Sequence, residues 1–176
     1  MNEDLLIAAA AGGDERAFEV LLDRHYDRIY RFAYRWCGNV PDAEDITQLA
    51  CIKLARNIRQ FRSDAAFTSW LFRLVVNCAK DWQKSQSRHR GEANALESLP
   101  TGSTQQAEIY LAEVLTAIDH MGPGFKETAL LVHGEGFSHG QAARLLGVKE
   151  STVSWRLHRI RRHLASVESA IGGQLP

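Results

Sequence analysis

Apolar residues return along this chain at intervals of three and four. Leu22, Tyr26, Ile29, Ala33 and Trp36 form one series, Ile46, Leu49, Ala50 and Leu54 a second, and Phe67, Trp70, Leu71, Leu74, Cys78 and Trp82 a third. Residues so spaced share one face of an α-helix, whereas a half-buried strand alternates apolar and polar residues one by one. No window sustains such alternation between turn signals, so the fold expected is all-α, with three amphipathic helices in the N-terminal half and a short one before them. The period lapses over 85–107, SQSRHRGEANALESLPTGSTQQA, whose Ser, Gly, Gln and Thr content reads as a flexible linker. It resumes at Ile109, Leu111, Val114, Leu115 and Ile118, pauses at MGPG (121–124) and returns from Ala129 to Val132. Two small helical domains are therefore expected, 1–88 and 108–176, joined by a linker at 89–107, the second of them a helix-turn-helix bundle.

A hydrophobic share of 45% is enough to build a core, and a net charge of zero conceals a strong segregation. Residues 1–45 carry five basic and ten acidic groups, residues 53–90 carry nine basic and two acidic, and residues 149–164 set five basic groups against Glu150 alone. Two separate basic patches suit a polyanion met on two faces; the acidic segment suits a basic or neutral partner. The apolar run 5–11 behind Asn2, Glu3 and Asp4 is too short and wrongly flanked for a secretory signal or a membrane span. The expectation is a cytoplasmic protein without direct membrane insertion. Cys37, Cys51 and Cys78 form no CxxC pair, disulfide framework or zinc-site spacing and read as small core residues.

Residues 136–164, GFSHGQAARLLGVKESTVSWRLHRIRRHL, are punctuated as a helix-turn-helix. Ser138 with Gln141 three residues on makes a capping box, Ala142, Ala143 and Leu146 give a small packing face, and Gly147 permits the tight turn. Val153, Leu157, Ile160 and Leu164 then hold one stripe of the second helix to a core. The opposite stripe presents Ser151, Ser154, Trp155, His158, Arg159 and Arg162, hydrogen-bonding and cationic groups on an element that fits a major groove. Its first turns suit base reading, and Arg159, Arg161 and Arg162 suit phosphates. A small bundle with a solvated basic face would share the composition, but not the ordered set of cap, turn and stripe.

In 61–88 a second stripe, Ser69, Arg73, Asn77, Lys80 and Lys84, runs beside an apolar one made of Trp70, Leu74, Cys78 and Trp82. Ahead of it, the polar turn Arg62, Ser63, Asp64 lies between Phe61 and Phe67, with side chains able to hydrogen-bond an exposed base. Aromatic rings beside a cationic row stack on unpaired bases while the phosphates follow the cations. Core packing accounts for the same aromatics equally well when the segment stands alone; its pairing with a duplex-reading module favours nucleic acid.

DAEDITQ (42–48), FRSDAAFTSWLFRLVVNCAKD (61–81) and GVKESTVSWRLHRIRRHL (147–164), in this order and separation, resemble the extracytoplasmic-function (ECF) branch of bacterial sigma factors. The resemblance implies a promoter-specificity subunit, not itself an enzyme, that joins core RNA polymerase through the β-prime clamp helices and the β subunit and is held in check by an anti-sigma factor. A membrane-bound inhibitor would hold it at the inner membrane face. By motif position, Asp42, Glu44, Asp45, Ile46 and Gln48 would meet the clamp helices. Phe61, Arg62, Ser63, Asp64, Phe67, Trp70, Arg73, Asn77 and Lys80 would take the opened minus-ten strand with one base flipped. Ser151, Thr152, Ser154, Trp155, His158, Arg159 and Arg162 would face the minus-thirty-five element as duplex. Leu49, Ala50 and Ala55 stand where many members carry an acidic residue, a bulky apolar residue and Trp, and Trp155 where a small or polar residue is common.

Two other classes fit parts of the sequence. A stand-alone operator-binding regulator would explain 136–164 equally well. A hydrolase or metal enzyme would have to recruit Asp42, Glu44 and Asp45 with a histidine, yet no nucleophile–base motif, metal-ligand spacing or phosphate-cradling Gly-rich loop accompanies them. No catalytic residue, metal site or cofactor is expected.

Overall fold

Asp14 and Asn39 each begin a long helix by the same means, a side-chain oxygen that accepts from a first-turn backbone N–H: Asp14 from Ala17 at 3.0 Å and Asn39 from Asp42 at 3.0 Å. They open α2 (Glu15–Cys37) and α3 (Val40–Asn57), which follow the short α1 (Glu3–Gly12). A 3₁₀ turn, Ile58–Gln60, leads to α4 (Phe67–His89). These elements come from a computed structural model that describes residues 2–62, 66–89 and 103–172, with side-chain placement given over 2–62, 66–86 and 107–167. Ser63 and Asp64, two of the expected strand-binding residues, lie outside the described residues, as does 90–102 of the expected linker.

The chain divides into two compact units, residues 1–97 and 98–176. In the first, α2 packs on α1, α3 and α4. Ala17, Leu21, Ile29, Phe32, Ala33 and Trp36 of α2 meet Ala43, Ile46, Thr47, Ala50 and Leu54 of α3 and Leu71, Phe72, Val75, Cys78 and Ala79 of α4, all buried. Three expected stripes are thereby shifted. Tyr26 and Leu49 are exposed, and Trp70, Leu74 and Trp82 are only half-buried. The buried rows carry His25, Thr47 and several alanines, residues with little apolar weight of their own, so larger neighbours one row away dominate the periodicity.

The second unit comprises α5 (Ser103–Asp119), α6 (Phe125–Ala129), a π-helical turn (Leu130–Gly134), α7 (His139–Leu146) and α8 (Glu150–Gly172). Ser138 and Gln141 form the expected capping box: Ser138 Oγ accepts from Gln141 N at 3.2 Å and Gln141 Oε1 accepts from Ser138 N at 2.9 Å. Gly147 then reverses the chain at φ 67°, a left-handed conformation that costs any residue with a Cβ about 1 kcal/mol. Leu145 rather than Leu146 turns inward beside Ala142 and Ala143. Val153, Leu157 and Ile160 are buried as expected, while Ile109 and Leu111 are exposed. No strand occurs among the described residues, and α4 and α5 extend to His89 and from Ser103, into both ends of the aperiodic stretch. Ser138→Ala should destabilise the second unit by about 1 kcal/mol, read as a lowered denaturant midpoint with unchanged slope.

Candidate nucleic-acid interface

At the head of α4 three rings form a mutual cluster. The Phe61 and Phe67 centroids are 5.4 Å apart at right angles, Phe61 and Trp70 are 5.4 Å apart, and Phe67 and Trp70 are 5.8 Å apart. Edge and tilted contacts of this kind hold ring orientation beyond simple burial. The three do not share one role. Phe67 is 6% exposed and belongs to the core, so its ring underlies the cluster and does not itself offer a face to a base. Phe61 and Trp70 are partly exposed beside the exposed Arg62. From the cluster, Arg73, Asn77 and Lys84 run along α4 as exposed residues with Lys80 partly exposed among them. A cationic row thus starts where the rings end.

On α3 the expected partner surface is altered. Asp42 is 6% exposed, and its carboxylate accepts from Asn39 Nδ2 at 2.7 Å, which assigns it to the helix cap. Ile46 is fully buried. Glu44, Asp45 and Gln48 remain exposed, joined by Leu49 and Ile52 at 43% and 41% exposure. Leu49 fits a core series in the sequence, but its spacing of three from Ile52, opposite the Ala43–Thr47–Ala50–Leu54 row, is the signal that both face outward.

In the second unit Ser151, Ser154, Trp155, His158, Arg159 and Arg162 are exposed along α8, with Thr152 partly so. Ser154 Oγ lies 2.9 Å from His139 Nδ1, which fixes its direction from α7. Trp155 is 54% exposed and its ring leans on Phe125 at 5.6 Å, so α6 props a large side chain on the outward stripe. Arg156, from the same helix, reaches Thr128 Oγ1 at 3.4 Å. Farther along, Arg159, Arg162, His163 and His120 line an open cleft of about 440 Å³ with Met121, Phe125 and Ser166, and among the described residues no carboxylate lines it. Phosphate oxygens suit such a lining.

Residues 21–89 match the family described as Sigma-70 region 2, and residues 111–164 that described as Sigma-70, region 4. SigM of Mycobacterium tuberculosis, an ECF RNA polymerase sigma factor, is 34% identical over 161 residues that span 91% of this chain and 81% of SigM. The chain belongs to the ECF sigma factors of RNA polymerase. Another relative, ECF sigma factor SigE of Mycolicibacterium smegmatis, is 34% identical over 88% of this chain but only 63% of its own length. Among solved structures, CnrH in complex with the cytosolic domain of CnrY shares 26% identity at a TM-score of 0.74, covering 96% of this chain and 99% of CnrH. Region 2 of this sigma factor thus contains the aromatic cluster, the α4 row and the α3 surface, and region 4 contains the α8 stripe.

Cys37 and Cys51 are half-buried and Cys78 is buried. Burial pushes both Cys51 and Cys78 above the ordinary thiol range, with Lys53 a weaker opposing influence on Cys78. A raised pKa leaves less thiolate at neutral pH. Both should therefore be alkylated several-fold more slowly than in the denatured chain at neutral pH, as followed by mass spectrometry. Among the described residues no three His, Cys, Asp or Glu side chains gather as a metal set, and no helix is long and apolar enough to cross a membrane.

Proposed function

We propose that this ECF sigma factor docks on core RNA polymerase through the α3 surface of region 2, captures the opened minus-ten strand at the Phe61–Trp70 cluster, and reads the minus-thirty-five element as duplex with α8. Region 2 would occupy 1–88 and region 4 108–176, tethered by 89–107. The observation that carries this reading is the ring cluster at the head of the row of exposed Arg73, Asn77 and Lys84 with part-exposed Lys80. Rings supply stacking to bases that have left the duplex, and the row supplies the backbone charge such a strand needs. Flipping one base consumes a few kcal/mol of stacking, which strand binding offsets without nucleotide hydrolysis by the protein. On this reading the protein is not an enzyme. It works in the cytoplasm, and an anti-sigma partner covers its polymerase-binding surfaces; CnrH, solved with a cytosolic partner domain, offers the parallel.

Polymerase docking rests on Asp45, Gln48, Leu49 and Ile52, which share one exposed face of α3. Replacing Leu49 and Ile52 by Asp should weaken association with core polymerase at least about tenfold, since a desolvated carboxylate in an apolar contact costs more than about 1.4 kcal/mol. Pull-down titration with purified core enzyme measures it. Circular dichroism should be unchanged because neither side chain belongs to the core. Unaltered association would remove α3 from the docking surface.

A further inference from the structure

We infer that α1 is a latch for the strand-capture cluster, and that the buried His25 and the half-exposed Glu3 are positioning residues within it; this rests on the strand-capture reading above. His25 occupies the middle of the buried row of α2, at 8% exposure, where its neighbours at the same depth are apolar. Such a site accepts a polar ring only if the ring has a partner. That partner comes from another helix: His25 Nε2 lies 2.9 Å from Glu3 Oε1 on α1. An ionised carboxylate only accepts, so Nε2–H donates. The centroid of the same imidazole lies 5.3 Å from that of the Phe67 ring, the two rings tilted by 57°, and Phe67 touches both Phe61 and Trp70. A chain of direct contacts therefore runs from the first turn of α1 to the rings expected to receive bases.

A second hold acts just ahead of Phe61. The 3₁₀ turn Ile58–Gln60, which leads directly into Phe61, packs on α1. At the end of α1, Gly13 adopts φ 101°, and a Cβ there would lie 3.2 Å from Arg59 Nη2, so the guanidinium sits against bare backbone. One short helix thus holds Arg59, two residues ahead of Phe61, and, through His25, Phe67 as well. An apolar side chain at position 25 would fill the space; a histidine adds a directional tie to α1 that fixes how Phe67 presents its two partner rings.

The test uses holoenzyme assembled from core polymerase and the full chain. Its affinity is measured for a fork-junction DNA whose minus-ten non-template strand is unpaired, beside core-polymerase affinity and binding to a duplex minus-thirty-five fragment. Glu3→Ala and His25→Phe should each weaken fork capture roughly three- to tenfold, the worth of one hydrogen bond to a carboxylate that solvent partly screens. The double variant should be no weaker than either single, because both remove one link. His25→Gln, which keeps a donor, should recover part of the loss relative to His25→Phe. Core affinity and duplex binding should stay within twofold. Fork capture within twofold of the parent in both singles, multiplying effects, or a parallel loss of core affinity overturns the latch. Trp70→Ala separates the levels: if it weakens fork capture while the α1 variants do not, only the latch fails, and if it too has no effect, the strand-capture reading fails and the latch with it.

Discussion

Phe32→Ala is expected to lower the unfolding free energy of region 2 by about 3–5 kcal/mol. Phe32 is fully buried on α2. Its ring meets Phe72 of α4 edge-on at 5.6 Å and Trp36 at 6.0 Å, so it ties the helix that faces α3 to the helix that carries the cationic row. Removing it deletes most of a large side chain from water-free surroundings and leaves a cavity that helices anchored on both sides cannot close. Single domains are stable by only about 5–15 kcal/mol, so the variant should lose a large fraction of the parent's margin. Equilibrium urea unfolding reads the loss. Trp36, Trp70 and Trp82 report region 2 and Trp155 is the sole tryptophan of 98–176, so a single-tryptophan background assigns the change to one unit. A loss under about 1 kcal/mol, well below the range for a buried Phe, would mean that α2 and α4 do not meet as described.

Trp70→Ala is expected to weaken capture of an unpaired minus-ten strand by about 1–3 kcal/mol, roughly five- to hundredfold in affinity. Trp70 is partly exposed and touches Phe61 and Phe67, so its truncation removes a stacking face and loosens Phe61 together. Phe61→Ala should produce a similar loss, and the two should not add, since each ring orients the other. Binding of a duplex minus-thirty-five fragment should be unaltered. Substituting Lys80 or Lys84 by Gln should act differently, weakening capture of every strand sequence alike and flattening the salt dependence by about 0.7 for each phosphate left without its cation. Fluorescence of a base analogue placed in the fork DNA measures all four variants. A Trp70→Ala protein that captures the strand within twofold of the parent, or that loses duplex binding to the same extent, would contradict the assigned role.

Long, strongly amphipathic helices and the turn chemistry of region 4 were legible from sequence, because capping box, left-handed glycine and heptad-like stripe are local rules that tertiary context did not override. Ser138, Gln141 and Gly147 do what their residue types dictate. The facing of region 2 was less legible. Its core seats His25, Thr47, Ala43, Ala50 and Ala79 at buried positions, and hydrophobicity summed by residue type favours Tyr26, Leu49 and Trp82 in the next rows. Thr47 satisfies its hydroxyl by donating to Ala43 O at 2.7 Å, an arrangement that no periodicity reveals. The same blindness placed Asp42 and Ile46 among the expected polymerase contacts although both are buried, and passed over the exposed Ile52: charge and motif position single out a helix, whereas packing decides which of its side chains face outward. Phe67 follows the same pattern, an aromatic residue expected to meet a base whose ring is buried beneath Phe61 and Trp70.

The central claim is that region 2 holds opened DNA and region 4 holds duplex, both in the company of polymerase. Permanganate reactivity of thymines, mapped on a genomic promoter pool with core polymerase and this sigma factor, tests it most directly. Reactive thymines should be confined to the minus-ten region when both proteins are present and suppressed by Trp70→Ala, with the minus-thirty-five region protected but unreactive. Protection of fully paired DNA by the chain alone, with no reactive thymines on adding core polymerase, would contradict it.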